Sequence, residues 1–305
     1  MVVLRRVGWG LVVLLGVSLI TFTLAFVVPS DPARTVAGPK ADPQTLARIR
    51  KDLRLDDPLP VQFARYVGRL MRGDLGRSYV TRRDVRAAIL ERVPATLFLA
   101  STSLALAVAL GVALGVFTSL RAGTRTDLVV MTLCLVGLSV PVFFLGLLLL
   151  DLFAYRLRWL PLGGYGGVRF VVLPACALAI GNAAYYGRLV HTNMCEVLGR
   201  DYVRTARAKG LGPIRIYGRH ALRNALLPVV TVIGLDFAGL MGGVVLTETV
   251  FNWPGLGRLA VDAVFNQDIP MIMGTVEFSA LLVVAATLIT DLLYVIIDPR
   301  IRSQP

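Results

Sequence analysis

Residues able to perform nucleophilic or metal-binding chemistry are few and far apart in this sequence. The two histidines are His191 and His220, and the three cysteines are Cys134, Cys176 and Cys195. Their spacing matches neither a metal-ligand set nor a disulfide framework. The chain also lacks the Gly-x-Ser-x-Gly and His-Glu-x-x-His patterns that are typical of hydrolases. We therefore expect no catalytic residue, no metal site and no resident cofactor.

The lysines exclude a nucleotide-binding loop. A P-loop requires a lysine that follows a glycine and precedes a serine or threonine, because the backbone amides and the ammonium group together hold the phosphates. The chain has three lysines, Lys40, Lys51 and Lys209, and none has these neighbours. If ATP and Mg²⁺ drive the function of this chain, they must bind to partner subunits.

The composition indicates a membrane protein. Hydrophobic residues make up 56% of the 305-residue chain and charged residues only 17%, compared with about 25% charged residues in soluble domains. The net charge is +13, but the basic residues lie between apolar runs and form no stripe interleaved with aromatic residues. Nucleic-acid binding is therefore excluded.

Six apolar segments are long enough to cross a bilayer as helices, which takes about 20 residues. The first is too long for the apolar part of a signal peptide, so we expect it to be retained. The sequence thus predicts an all-α polytopic protein with six transmembrane helices, at 9–29, 95–120, 127–154, 170–190, 226–250 and 271–297. The remaining parts are the segment 30–94, the loop 191–225 and the tail 298–305.

The distribution of arginine and lysine predicts the orientation. With the N-terminus inside, the cytoplasmic pieces hold fourteen basic residues and the short outer loops hold four. This bias places both termini in the cytoplasm by the positive-inside rule. The segment 30–94 holds fourteen basic and eight acidic residues, but long segments cross the membrane largely regardless of their charge. We therefore expect it to be extracytoplasmic.

The outer segment is predicted to contain three helices. Two of them are Asp42–Leu53 and Val61–Met71. The third, Thr81–Val93, carries three apolar side chains on one face: Val85, Ile89 and Val93. This pattern favours a helix in the membrane interface that precedes entry into the bilayer at Pro94. A helix that packs against the protein itself would give the same pattern.

Two acidic residues lie within predicted spans, Asp236 in the fifth and Glu277 in the sixth. An ionisable group in a span costs about 2.5–3.5 kcal/mol on insertion scales, so it is a candidate for function. Both side chains could line a cargo pathway and attract the ammonium group of a peptide. The alternative is that each pairs with a donor on a neighbouring helix.

The loop between the fourth and fifth spans is predicted to form a basic helical hairpin. Its first helix, from Asp201, ends at Gly210 in a left-handed cap, and a second helix follows from Ile214 to Arg223. Such a hairpin can dock into another protein. The alternative is a basic loop that only anchors the topology.

The chain resembles the first permease subunit of dipeptide/oligopeptide ABC importers along nearly its whole length. The strings that carry the resemblance are Leu15–Leu19, Val28–Pro32, Gly73–Tyr79, Ser139–Phe143, Leu160–Tyr165, Ala206–Gly210, His220–Ala225, Thr247–Arg258 and Asp298–Ile301. With Gly210 as the glycine of the coupling motif, only Ala206 matches the Glu-Ala-Ala positions literally. Arg223 replaces the proline usually found thirteen residues beyond that glycine.

The resemblance implies a type I importer permease fold in the bacterial inner membrane, with no enzymatic activity of its own. The implied partners are a second homologous permease, two cytoplasmic ATPases that bind ATP and Mg²⁺, an extracytoplasmic binding protein and a peptide cargo. The residues implied to couple to the ATPases are Arg204, Thr205, Ala206, Arg207, Ala208, Lys209 and Gly210. Alternative cargoes in this family are nickel chelates, glutathione and oligosaccharides. A proton-coupled carrier, which could use the same embedded acids, is a further alternative.

Overall fold

The computed structural model describes residues 2–27, 32–38, 41–52 and 54–297. Within these residues the regular structure is helical, apart from one isolated bridge between Arg77 and Asp84. The predicted tail 298–305 and the last two residues of the first predicted span, 28 and 29, lie outside the described residues.

Fourteen α-helices and two π-helical stretches are present in the described part of the chain. In the first half, the helices are α1 (Val2–Val27), α2 (Pro32–Ala37), α3 (Pro43–Asp52), α4 (Leu59–Leu70), α5 (Val85–Ser119), α6 (Arg125–Ser139) and α7 (Val142–Leu149), the last continued by π-helical turns over Leu150–Arg156. In the second half they are α8 (Val168–Leu198), α9 (Asp201–Ala208), a π-helix (Arg215–Leu222), α10 (Arg223–Ala225), α11 (Leu227–Met241), α12 (Val245–Val250), α13 (Leu256–Phe265) and α14 (Ile269–Ile297).

Four of these helices are long and apolar enough to cross a membrane by themselves. They contain the stretches Arg5–Ala25, Val85–Ser119, Val168–Leu198 and Ile269–Leu292. Two further helix pairs qualify only when each bent pair is taken as one span: α6 with the helix Val142–Arg156, bent by 99°, and Arg215–Ala225 with α11, bent by 48°. The described residues therefore hold four to six membrane spans.

The third predicted span, 127–154, is not one straight helix. The break falls at Val140 and Pro141, where Val140 has an extended backbone with φ −82° and ψ 123°. A proline disfavours the helical conformation of the residue before it, so α6 ends at Ser139 and a new helix begins after Pro141. The prediction of an uninterrupted helix was wrong at this point.

The fifth predicted span, 226–250, also ends earlier than expected. The helix α11 stops at Met241, and the next two residues are glycines. Gly243 has φ +96°, and a Cβ there would lie 3.0 Å from the backbone nitrogen of Gly257. A left-handed backbone with another chain segment this close requires glycine. The short helix α12 follows as a separate element.

The predicted interfacial helix is instead the first part of α5. This helix starts at Val85 and runs through Pro94 without interruption. Val85 and Ile89 are fully buried against Leu256 and Met271 of the protein. The apolar face identified in the sequence is present and packs on protein, in agreement with the alternative interpretation given above.

The chain divides into two compact units. The first comprises Met1–Thr96, Met241–Val245 and Pro254–Leu288. Its best-defined aromatic cluster joins α1 to α4, where the ring of Phe22 lies 5.3 Å from that of Phe63 and 6.0 Å from that of Tyr66. These rings pack with Ile269 and Met273 at the start of α14.

The second unit comprises Leu97–Leu240, Leu246–Trp253 and Ile289–Pro305. Two glycines of α5 allow close packing against α8: a Cβ at Gly111 would lie 2.5 Å from the Cβ of Tyr186, and one at Gly115 would lie 2.5 Å from the Cβ of Val190. Small residues of this kind let membrane helices approach closely and gain van der Waals contact. The largest core of the unit is built on this helix pair.

Candidate functional site

The predicted basic hairpin is present and is amphipathic. Its first arm is α9, in which Val203 and Ala206 are buried whereas Arg204, Thr205, Arg207 and Ala208 are exposed. Asp201 lies in the first turn, where a negative charge interacts favourably with the helix dipole. The arm thus presents a basic, solvent-facing surface and holds itself to the protein by two small apolar side chains.

The end of α9 is fixed by a Schellman motif. Gly210 has φ +74°, so the prediction of a left-handed cap is confirmed. The Gly210 amide donates to the Arg207 carbonyl at 3.0 Å, and the Leu211 amide donates to the Ala206 carbonyl at 3.2 Å. These two bonds satisfy the last carbonyls of the helix and turn the chain toward the second arm.

Polar side chains join the second arm to the rest of the hairpin. Asn224 donates to the Tyr202 hydroxyl at 3.0 Å and to the His220 carbonyl at 2.9 Å, which joins α9 to residues 215–225. Asn193 of α8 donates to the Ala225 carbonyl at 3.1 Å. The second arm is itself partly a π-helix, a conformation that often marks functional sites. Hydrogen bonds therefore connect the two arms of the hairpin to each other and connect the second arm to α8.

The buried face of the hairpin belongs to the same apolar cluster as the long helices. From the hairpin the cluster contains Val203, Ala206, Ile216, Ala221 and Ala225; from the helices it contains Leu104, Ala107, Ala179, Tyr186, Val190, Met194, Val197 and Val229. Closely packed interiors transmit displacements because they compress little. A force on α9 therefore acts on α5, α8 and α11 through continuous contacts.

The exposed charges of α9 are available to a partner. Arg204 lies 3.6 Å from Asp201, and both side chains are largely exposed, so this pair contributes little to stability. Arg207 and Lys209 form no ion pair with any described residue. Ala206 was expected on the docking surface with Ala208, but it is 6% exposed and contacts the core. The remaining residues of the set, at 204, 205 and 207–210, are all exposed.

Asp236 is held by a tyrosine of a neighbouring helix. The Tyr186 hydroxyl donates to the Asp236 carboxylate at 2.5 Å, and Tyr186 is fully buried in the cluster that also contains Val203 and Ala206. Asp236 itself is partly exposed. Tyr186 is thus a hydrogen-bond donor on a neighbouring helix, as the alternative to a cargo-binding role requires. The Asp236 side chain nevertheless remains partly accessible.

Glu277 has a comparable partner in the first unit. The Ser18 hydroxyl lies 3.0 Å from Glu277 Oε2 and 2.8 Å from the Leu14 carbonyl of its own helix. Ser18 is 3% exposed, whereas Glu277 is partly exposed. Asp236 belongs to the second unit and Glu277 to the first.

A buried carboxylate outside the predicted sites organises part of the first unit. Asp268 is 3% exposed, accepts a hydrogen bond from the Ser78 hydroxyl, and accepts another from the Tyr79 amide at 3.0 Å. The Ser78 hydroxyl oxygen also accepts from the Thr81 amide at 2.8 Å. This network connects residues 78–81 to the residue before the start of α14. Sequence reasoning missed it because its members are about 190 residues apart.

The family models cover nearly the whole sequence. The model described as "Binding-protein-dependent transport system inner membrane component" matches residues 111–303, and its N-terminal companion matches residues 1–100. The chain belongs to this family. It is accordingly a multi-pass inner-membrane component of a binding-protein-dependent ABC transport system, a permease subunit and not an enzyme. Membership in the family implies ATPase and binding-protein partners.

Curated relatives align with this permease from end to end. A protein of Sinorhizobium fredii (strain NBRC 101917 / NGR234), named as a probable peptide ABC transporter permease protein, y4tP, is 41% identical over 308 residues, 98% of each chain. The glutathione transport system permease protein GsiC of Salmonella paratyphi A (strain ATCC 9150 / SARB42) is 42% identical over 302 residues, 99% of each chain.

A solved structure supports the fold. A chain of the MetNI methionine ABC transporter, in inward facing conformations, matches with a TM-score of 0.55 at 18% identity. The match covers 68% of this permease and 94% of that chain. At this identity the likeness concerns the fold alone.

Proposed function

We propose that this permease forms half of the translocation pathway of an ATP-driven importer of di- and oligopeptides. The peptide cargo is supported by the names of end-to-end relatives at about 41% identity. Glutathione is the second candidate, because a permease of 42% identity carries that name. Both cargoes are short peptidic molecules with free carboxylates, so the two candidates make similar demands on the pathway.

The proposed coupling element is the hairpin, with Arg204, Thr205, Arg207, Ala208 and Lys209 on its docking surface and Gly210 as its hinge. The observation that carries this proposal is the continuous apolar cluster from Val203 and Ala206 to Tyr186, whose hydroxyl holds Asp236. ATP and Mg²⁺ bind to two partner ATPases in this scheme. Closure of the ATPases moves α9, and the cluster carries that movement to the helices around Asp236.

The proposed topology has six spans with both termini and the hairpin in the cytoplasm. Counting each bent helix pair once gives six spans, and the fourteen-to-four bias of basic residues favours this orientation. The second half of the pathway is assigned to a homologous permease. Asp236 and Glu277 remain candidates for binding the cargo ammonium group, since both are partly exposed and polar groups in spans often mark substrate paths.

Cysteine cross-linking tests the coupling element directly. Starting from a variant without the three native cysteines, Ala208→Cys should cross-link to an ATPase subunit in the assembled importer. Ala122→Cys is the control, because it is also exposed and cytoplasmic in this topology but lies outside the hairpin. Cross-linking at residue 122 but not at residue 208 would refute the proposed docking surface.

A further inference from the structure

The first unit contains a cavity that no described part of the transport mechanism uses. Its volume is about 580 Å³, and it is lined by side chains from several places between Asp52 and Arg82, by Val36, by the start of α14 and by Phe22 of α1. Cavities of about 300–1,000 Å³ are the size that binds small organic molecules. Under the proposed topology this cavity lies on the side of the membrane where cargo arrives.

One wall of the cavity carries a buried hydroxyl group that has no hydrogen-bond partner in the described part of the chain. Tyr66 is 8% exposed, and its hydroxyl makes no hydrogen bond with any described residue. Buried polar groups in folded proteins are nearly always paired, because an unpaired one costs about 1–3 kcal/mol. A ligand atom that accepts a hydrogen bond would satisfy this hydroxyl. The ring of Tyr66 is fixed by its stacking on Phe22, so the position of the donor is preset.

Basic side chains line the same space. Arg69 is exposed, lines the cavity and has no ion-pair partner among the described residues. Tyr66 and Tyr79 line this cavity together with Arg69. Burial raises the pKa values of both phenols, with a further increase from the Glu277 carboxylate at Tyr66 and from the Asp268 carboxylate at Tyr79, and the charge of Arg69 opposes both increases. A guanidinium and a phenol hydroxyl that line the same cavity can both donate hydrogen bonds to a carboxylate.

Two further features favour a ligand with charges of both signs. Asp52 and Asp74 line the cavity together with the arginines, so an ammonium group could also be bound. In addition, Arg54 and Arg82 line the cavity with φ values of +52° and +59°. Residues that carry a Cβ rarely adopt a backbone conformation with positive φ, and strained residues of this kind concentrate at ligand sites.

We propose that this cavity is a binding site for a short peptide with free termini, in which Tyr66 and Arg69 bind the terminal carboxylate. Asp52 and Asp74 provide the negative charge for the terminal ammonium group. The site would hold cargo at the outer surface of the permease. This inference rests on the proposed function as a peptide importer.

The test is calorimetric binding of the dipeptide Ala-Phe to the full chain in phosphatidylcholine nanodiscs. Tyr66→Phe should weaken binding about tenfold, since it removes one hydrogen bond to a charged group. The same variant should lose no thermal stability, because the hydroxyl has no partner among the described residues. Arg69→Gln and amidation of the dipeptide carboxylate should each weaken binding by at least as much.

Matched controls separate this site from general effects. Arg72→Gln removes an exposed arginine of the same segment that does not line the cavity, and Tyr155→Phe removes an exposed hydroxyl far along the chain. Both should bind Ala-Phe with wild-type affinity.

Three results would overturn the inference: no binding of Ala-Phe to the wild-type chain, equal affinity for Ala-Phe and its amide, or wild-type affinity in both Tyr66→Phe and Arg69→Gln. If Tyr66→Phe fails to fold, Arg69→Gln and the amide decide the question. Uptake of Ala-Phe by the assembled importer is measured in parallel. Normal uptake with any of these results would refute only this site, whereas absence of uptake of every peptide would refute the proposed function.

Discussion

Replacing Gly210 by alanine perturbs the hairpin at the one position where its backbone requires glycine. The residue has φ +74°, and a Cβ there would meet no atom within 4 Å. The cost is therefore purely conformational, about 1 kcal/mol for a residue with a Cβ in the left-handed region. It should appear as weaker hydrogen bonds at the end of α9, where the Gly210 and Leu211 amides donate to Arg207 and Ala206.

Hydrogen exchange of the purified permease measures this effect. A loss of 1 kcal/mol corresponds to about fivefold faster exchange of the amides at residues 210 and 211 if they exchange by local opening. Gly212→Ala is the matched control, since Gly212 has ordinary backbone angles and open space for a Cβ. The importer carrying Gly210→Ala should also show weaker cargo-stimulated ATP hydrolysis. Equal exchange in the two variants, or wild-type stimulation in the larger variant Gly210→Val, would refute this reasoning.

The other predictions concern topology, the embedded acid, the outer network and nucleotide binding. In intact cells lacking the native cysteines, Met71→Cys should react with an impermeant thiol reagent and Ile214→Cys should not, both positions being over 80% exposed; the reverse pattern would invert the topology. Asp236→Asn retains an acceptor for Tyr186, so it should preserve assembly and lower peptide uptake severalfold; unchanged uptake would assign the acid a structural role. Asp268→Ala should destabilise the protein by about 2–3 kcal/mol, because two donors lose a buried carboxylate, and an unchanged melting temperature would contradict this. The isolated chain should bind no ATP in calorimetry; saturable micromolar binding would contradict the assignment of ATP to the partner subunits.

Sequence periodicity and turn chemistry predicted features that depend on local interactions. The left-handed Gly210 follows from a helix that ends in a glycine before a Gly-Pro pair, and the structure has this conformation. The apolar face of Val85 and Ile89 was likewise evident from helical spacing. The sequence did not reveal what covers this face, because its partners Leu256 and Met271 lie about 170 residues or more further along the chain. Nothing in the local sequence distinguishes a face that packs on protein from one that contacts lipid.

Breaks within apolar runs were missed for a related reason. Hydropathy treats 127–154 and 226–250 as uniform segments, but Pro141 and the glycines at 242 and 243 interrupt the helices. Proline and glycine are tolerated in membrane helices when neighbouring groups satisfy the freed backbone, so their presence alone does not predict a break. The Asp268 network and the outer cavity combine residues near 70 with residues near 270. Only the tertiary fold brings these together.

The most direct test of the central claim is uptake of labelled Ala-Phe into proteoliposomes. The vesicles contain this permease with its homologous partner, the two ATPases and the binding protein, and uptake is measured with internal ATP or with an imposed proton gradient. We predict uptake that requires ATP and the binding protein, and that is lost in the charge-reversed hairpin variant Arg207→Glu with Lys209→Glu. Uptake driven by the proton gradient without ATP, unaffected by the hairpin variant, would contradict the account and indicate a proton-coupled carrier.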